Sequence, residues 1–139
     1  MYKRQTQTFT GAQLLDVLKD QWCGTNSRPT VLLPSATINY TYDQSIATDI
    51  LGAPCAGAPN PVTDVTINGT ALDPAGSYRI TTNNFLAEGG DDFTSLTLGT
   101  DRTTLSDFDI DSLVRYLQPT LTGTPIGPPG LDRIDVTIP

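Results

Sequence analysis

The stretch Asn83 to Phe93, NNFLAEGGDDF, holds the residue types best suited to binding a small molecule. Phe85 offers a flat π-surface. Asp91 offers a carboxylate able to accept several hydrogen bonds. Between them stand Gly89 and Gly90, which let the chain turn sharply and let a ligand approach the backbone. A ring and an acid joined by such a turn suit a ligand with an aromatic base and a pair of hydroxyls, such as a nucleoside. The ring stacks on the base and the carboxylate accepts from the ribose hydroxyls. The same residues also read without a ligand: Phe85 as core at a strand end, Gly89-Gly90 as a plain turn, Asp91 and Asp92 as a solvated loop.

Several elements are expected to position this stretch. A strand over Ser77–Thr82, with Tyr78 and Ile80 on one face, delivers Asn83 and Asn84, followed by a short helical turn ending at Gly89. Val62–Ile67, Asn68-Gly69 and Thr70–Leu72 form the clearest hairpin, because Asn-Gly supplies both positive-φ positions of a tight turn. Thr6–Phe9 reads as a short strand. Thr10 then caps a helix from Gly11 to Trp22 whose buried face is Leu14, Leu15, Leu18 and Trp22.

Thr30–Leu33 and Thr37–Asp43 read as strands separated by Pro34, and Gln44–Pro61 as a long Gly/Ala/Pro-rich loop. Phe93–Leu98 reads as irregular or weakly extended. Ser106 or Asp107 opens a last helix with Ile110, Leu113, Val114 and Leu117 as its buried face. Asp107, Asp109 and Asp111 match part of a calcium loop, but the Gly and distal Glu are missing, so they read as acids at a helix start. Pro119–Gly130 is a connector and Leu131–Ile138 a final strand. The sum is an α+β single domain: a mixed β-sheet packed with two main helices, plus the short helical turn at the site.

Asn84-Phe85-Leu86-Ala87-Glu88-Gly89-Gly90-Asp91-Asp92-Phe93 resembles the signature of the C-terminal, substrate-binding domain of the 5'-nucleotidase and UDP-sugar hydrolase family. The resemblance extends to Thr10–Leu18, Ile38–Asp43, Val65–Gly69 with Leu72-Asp73-Pro74 and Tyr78-Arg79, Asp109–Leu117, and Asp132-Arg133-Ile134. It implies that Phe85 is one of two aromatics sandwiching the base and that Asp91 holds the ribose. Gly89 and Gly90 would shape the turn, with Asn84 helping to fix it. The family's second aromatic lies upstream of the first strand, so neither Tyr2 nor Phe9 is assigned that role. Asp92 stands where the family often has Gly or Asn. The family's two divalent metals belong to a separate N-terminal metallophosphatase domain, so no cofactor and no catalytic residue is expected in this chain.

Composition fits that division. The net charge is −7 and there is no histidine. Acidity argues against nucleic acid or an anionic membrane surface, which need Lys and Arg. A chain without histidine does not readily build a dinuclear metal centre. No apolar run reaches the ~20 residues needed to span a bilayer, so no membrane insertion is expected. Cys23 and Cys55, in a loop-rich chain, suit a disulfide and an extracellular, periplasmic or cell-surface location.

Residues 1–5, MYKRQ, resemble an adapter-encoded tail and are set aside, leaving 6–139 as the domain. The expected function is nucleoside recognition within a secreted phosphoesterase, the isolated chain being inactive. The alternative is a secreted, non-catalytic binding module with the same fold.

Overall fold

The computed structural model describes residues 2–118, 127 and 130–138. The strands are β1 Lys3–Thr10, β2 Ile38–Asp43, β3 Val62–Ile67, β4 Thr70–Ala71, β5 Ser77–Asn83, β6 Thr100–Phe108 and β7 Ile134–Thr137. The helices are α1 Gly11–Lys19, α2 Gln44–Asp49, α3 Asn84–Ala87 and α4 Asp109–Leu117, with 3-10 turns at Gly90–Asp92 and Thr94–Leu98. The fold is α+β, as expected, and its strands divide into two sheets. One is three-stranded and antiparallel in the order β5-β1-β6; the other is mixed, β4-β3-β2-β7, with β7 parallel to β2.

The first strand is longer than its apolar pattern indicates. Lys3, Arg4 and Gln5, set aside from the fold above, pair with Phe108, Asn83 and Thr104 respectively. Its inward face is Gln5, Gln7 and Phe9, all buried. Two glutamines at inward positions erase the alternation that marks a strand. Each is half satisfied: Gln5 Nε2 donates to Thr104 Oγ1 at 3.1 Å and Gln7 Oε1 accepts from Arg102 Nη2 at 3.2 Å, while Gln5 Oε1 and Gln7 Nε2 have no partner among the described residues.

Thr10 starts α1 with reciprocal bonds. Its hydroxyl accepts from the Gln13 amide at 3.2 Å, and the Gln13 side chain accepts from the Thr10 amide at 2.8 Å. Regular helix stops at Lys19, before the expected Trp22, and a turn carries the chain on through a bond from the Trp22 amide to the Lys19 carbonyl. This helix lies between two cores. Leu14 and Val17 pack with Phe9, Phe93 and Leu96, whereas Leu18 packs with Trp22, Tyr40, Ala47, Ile50, Val62 and Val65.

Cys23 and Cys55 are bonded to each other. The bridge closes a loop that would otherwise be free in the unfolded chain, worth about 3–4 kcal/mol in the chain-entropy model.

Several local expectations are corrected. Thr30–Leu33 joins no sheet; its amides turn inward instead, Leu32 donating to Gln21 Oε1 at 2.8 Å. The expected loop Gln44–Pro61 begins with α2, because Asp43 Oδ1 accepts from the Ser45 and Ile46 amides at 2.8 and 3.2 Å and so caps a helix start. The Ser45 hydroxyl, which donates to the same oxygen at 2.6 Å, and then those amides hold the Asp43 carboxyl below its usual range. Phe93–Leu98 is mainly 3-10 helix, with Phe93 and Leu96 fully buried.

In α4 the cap is at Phe108, whose amide donates to Asp111 Oδ2 at 3.3 Å, while Asp107 pairs with Arg115 at 2.7 Å and Arg4 at 3.4 Å. Its expected buried face is exposed: Ile110, Leu113, Val114 and Leu117 are 43–55% accessible. Most of the expected connector Pro119–Gly130 lies outside the described residues. The final strand is β7, shorter than Leu131–Ile138.

Candidate functional site

The site segment is built by β5, which lies antiparallel to β1 and ends at Asn83. Asn83 Oδ1 accepts from the Leu86 amide at 2.8 Å and so starts α3. The turn closes through bonds from the Glu88 and Gly89 amides to the Asn84 and Leu86 carbonyls at 3.1 and 2.9 Å. Gly89, at φ 88°, then reverses the chain in the left-handed region where glycine carries no penalty.

The next two acids share that region: Asp91 has φ 53° and Asp92 φ 66°. Non-glycine residues there cost of order 1–3 kcal/mol each unless their surroundings hold them.

Those surroundings are two carboxylate clamps. Asp92 Oδ2 accepts from the Thr25 amide at 2.8 Å, the Thr25 hydroxyl at 2.6 Å and the Asn26 side chain at 3.1 Å. The Thr25 hydroxyl and amide hold its carboxyl below the usual range. Asp20 Oδ2 accepts from the Ser95 amide at 2.8 Å, while Oδ1 has no partner among the described residues. Asp20 is only 2% accessible, and burial pushes its carboxyl up. A third brace is Arg102, whose Nη2 donates to the Ala87 carbonyl at 2.8 Å beneath α3.

Phe85 is half-buried, neither sealed in the core nor free. Gly90 lies against its ring, and a Cβ there would fall 2.5 Å from two ring carbons. A side chain there would push the ring aside, so the double glycine divides its labour: Gly89 turns and Gly90 yields space. The Tyr2 ring stands 5.5 Å from Phe85 between centroids, tilted by 36°. Asp91 is exposed, and among the described residues its carboxylate makes no hydrogen bond or ion pair. Asn84 turns elsewhere, its Oδ1 accepting from the Lys3 amide at 2.9 Å and anchoring α3 to the start of β1.

Sequence reasoning missed Asn83, Asp92, Asp20 and Arg102. The spacing from Asn83 to Leu86 is a cap signal and could have been read. The partners of the other three are long-range.

A cleft of about 740 Å³ lies elsewhere: Leu86 lines it, but Phe85, Gly89, Gly90 and Asp91 do not. Asp20, Cys23 and Cys55 bring ligand-type atoms within 4.8 Å of one another, but both sulfurs are committed to the disulfide. That donor set therefore does not fit a metal centre. No helix among the described residues is long and apolar enough to cross a membrane. What the segment displays is a ring and a free carboxylate on a braced turn, a surface for stacking and for accepting hydrogen bonds.

A search among curated proteins finds no match. Solved structures do match. A 5'-nucleotidase precursor of Thermus thermophilus is 26% identical with a TM-score of 0.72, covering 97% of this chain and 25% of its own. The NAD nucleotidase of Haemophilus influenzae has a TM-score of 0.71 at 17% identity, covering 99% of this chain and 24% of its own. A sulfate thiohydrolase of Thermus thermophilus has a TM-score of 0.56 at 18% identity, covering 97% and 22%. The latter two show a shared fold. This chain spans about a quarter of the length of each of these proteins. The sequence model of the 5'-nucleotidase C-terminal domain matches residues 5–98. That stretch runs from β1 through the double glycine to the end of the second 3-10 turn, and it makes this chain a member of the 5'-nucleotidase C-terminal domain family.

Proposed function

We propose that this chain is the nucleoside-recognition half of a secreted, metal-dependent 5'-nucleotidase-type phosphoesterase. Phe85 stacks on the base, Asp91 accepts from the ribose hydroxyls, Gly89 and Gly90 shape the turn, and Asn84 ties it to β1. The observation that carries this reading is the Phe85 ring itself, which already accepts a second aromatic, Tyr2, at 5.5 Å. A nucleobase is a ring of the same kind. The disulfide supports an extracellular, periplasmic or cell-surface location.

In the complete protein, two divalent metals held by an N-terminal metallophosphatase domain would activate water and polarise the phosphate. The residues of this chain contribute grip and orientation only. Stacking one base is worth roughly 1–3 kcal/mol. Immobilising a ligand costs an estimated ~4 kcal/mol or more. The isolated chain is therefore expected neither to hydrolyse nucleotides nor to bind them tightly. Turnover above background with added Mn²⁺ or Zn²⁺ would refute that division of labour.

In the complete protein, Phe85→Ala should raise KM about 5- to 100-fold at nearly constant kcat, since uniform binding is lost. A fall in kcat at unchanged KM would remove Phe85 from ground-state base binding.

The alternative is a secreted non-catalytic binding module with the same fold, since a fold alone does not fix a substrate. Calorimetric titration of the complete protein with adenosine and with UDP-glucose separates the two.

A further inference from the structure

Between Gly90 and Phe93 two successive acids hold left-handed backbone, Asp91 at φ 53° and Asp92 at φ 66°. Main-chain bonds secure the ends of this turn: the Gly89 amide donates to the Leu86 carbonyl at 2.9 Å and the Phe93 amide to the Gly90 carbonyl at 3.1 Å. Inside it, the side-chain hydrogen bonds among the described residues all belong to Asp92, and all fall on Oδ2. Asp91 is exposed and has none. One acid is held and its neighbour is presented. The peptide plane between them is rigid, so fixing one restricts the other.

The grip on Asp92 is itself secured. Thr25 and Asn26 follow Cys23 and Gly24 in a turn that lies against residues 52–55 at three points. Cys23 is bonded to Cys55, the Gly24 amide donates to the Ala53 carbonyl at 2.8 Å, and the Asn26 carbonyl lies beside Gly52. Gly24, at φ 103°, brings its backbone against the acid: a Cβ there would fall 2.9 Å from Asp92 Cβ and Oδ2. A short run of contacts therefore leads from the Cys23–Cys55 bridge through Gly24 and Thr25 to Asp92, and ends beside Asp91.

We propose that Asp92 is a positioning residue for the ligand. Gripped by the bridge-stapled turn, it fixes the backbone from which Asp91 offers its carboxylate, and so sets the preference for a ligand with two adjacent hydroxyls. A carboxylate accepts from both hydroxyls of a vicinal diol only when its two oxygens face them together. A turn that wanders keeps the acid but loses the pairing. This role rests on Asp91 being the ribose acceptor proposed for it, and adds a residue that touches no ligand.

Calorimetric titration of the complete protein with adenosine and with dideoxyadenosine, which lacks both ribose hydroxyls, tests this. Hydrogen exchange of the Phe93 amide reports on the turn without ligand. The wild type should prefer adenosine by about tenfold or more, as hydrogen bonds to a charged acceptor allow. Asp92→Ala should remove most of that preference and leave affinity for dideoxyadenosine nearly unchanged. Its Phe93 amide should exchange about tenfold faster or more, relative to the amides of β1. Asp91→Ala and Asp92→Ala together should weaken adenosine binding no further than Asp91→Ala alone, because the second acid acts through the first. Thr25→Val removes the hydroxyl donor at an exposed position, so it should fold and act in the same direction, less strongly. Gly24→Ala keeps the bridge but drives a Cβ against Asp92, and should match Asp92→Ala. A dithiol such as dithiothreitol opens the bridge, its two S–H groups becoming one S–S as Cys23 and Cys55 become two thiols. While β1 stays protected, that too should reduce the preference.

Full preference retained in Asp92→Ala and Thr25→Val overturns the positioning role. So does an unchanged Phe93 exchange rate, or additive losses in the double variant. An opened bridge that moves neither readout overturns the part given to the disulfide. A wild type that binds both nucleosides equally strikes the ribose role of Asp91 itself, and the positioning role falls with it. A Phe93 amide that still quickens in Asp92→Ala would then place the failure in the ligand and not in the turn.

Discussion

The segment after β5 and the helix after β6 begin alike and end differently. Both start where a strand stops, and both use a side-chain oxygen to satisfy the first amides: Asn83 in one, Asp111 in the other. The first segment continues into two fully buried anchors, Phe93 and Leu96, and two carboxylates reach across from other parts of the chain to hold it. The second continues into an apolar stripe facing water, held at its root by ion pairs with exposed members. Capping decides where a helix starts; it says nothing about what will cover its far face.

The largest contrast should come from truncating matched side chains. Phe93→Ala should cost about 3–5 kcal/mol, because the ring is fully buried and leaves a cavity. Leu113→Ala, measured by urea unfolding, should fall within about 0.5 kcal/mol of wild type. Comparable costs would mean that α4 is packed on its own chain.

The two clamps should then part company with pH. Asp92 has a lowered carboxyl pKa in the folded chain. Its contribution is present above the unfolded value of about 4 and is lost as pH falls through the folded value. Asp92→Asn should therefore destabilise at pH 7 and match wild type in strong acid. Asp20 has a raised pKa in the folded chain. There the folded form holds its proton more tightly, and stability declines as pH rises from about 4 through the folded value. Asp20→Asn should remove that decline, leaving the variant at least as stable as wild type at pH 7. Urea midpoints between pH 3 and 7 check both signs, and identical slopes for the two variants would break the assignment. The smallest effect belongs to Arg115→Ala, which removes an exposed ion pair and should leave the urea midpoint unchanged within error.

Much of the frame was legible because it is written locally. Thr10 and Gln13 announce α1, Asn68-Gly69 announces the hairpin, and the double glycine announces the turn after α3. What was not legible depends on distance or on an unusual inward residue. β1 hid its first half because Gln5 and Gln7 face the core, and their burial is tolerable only through Thr104 and Arg102, some hundred residues away. The start of α2 was lost in the glycine, alanine and proline that follow it. Asp92 looked like a loop acid and Asp20 like one more residue of the first helix, because Thr25, Asn26 and Ser95 lie far off in sequence. α4 shows the reverse failure, in which a correct amphipathic pattern was assigned to an interior that the described residues do not supply.

The left-handed backbone at Asp91 sets two selective pressures against each other. Glycine at this position would relax the chain by about 1 kcal/mol. The same change would delete the acid that the turn holds out to solvent. On the proposed function, Asp91→Gly therefore gains stability and loses the ribose contact, so a urea midpoint and a nucleoside titration should move in opposite directions.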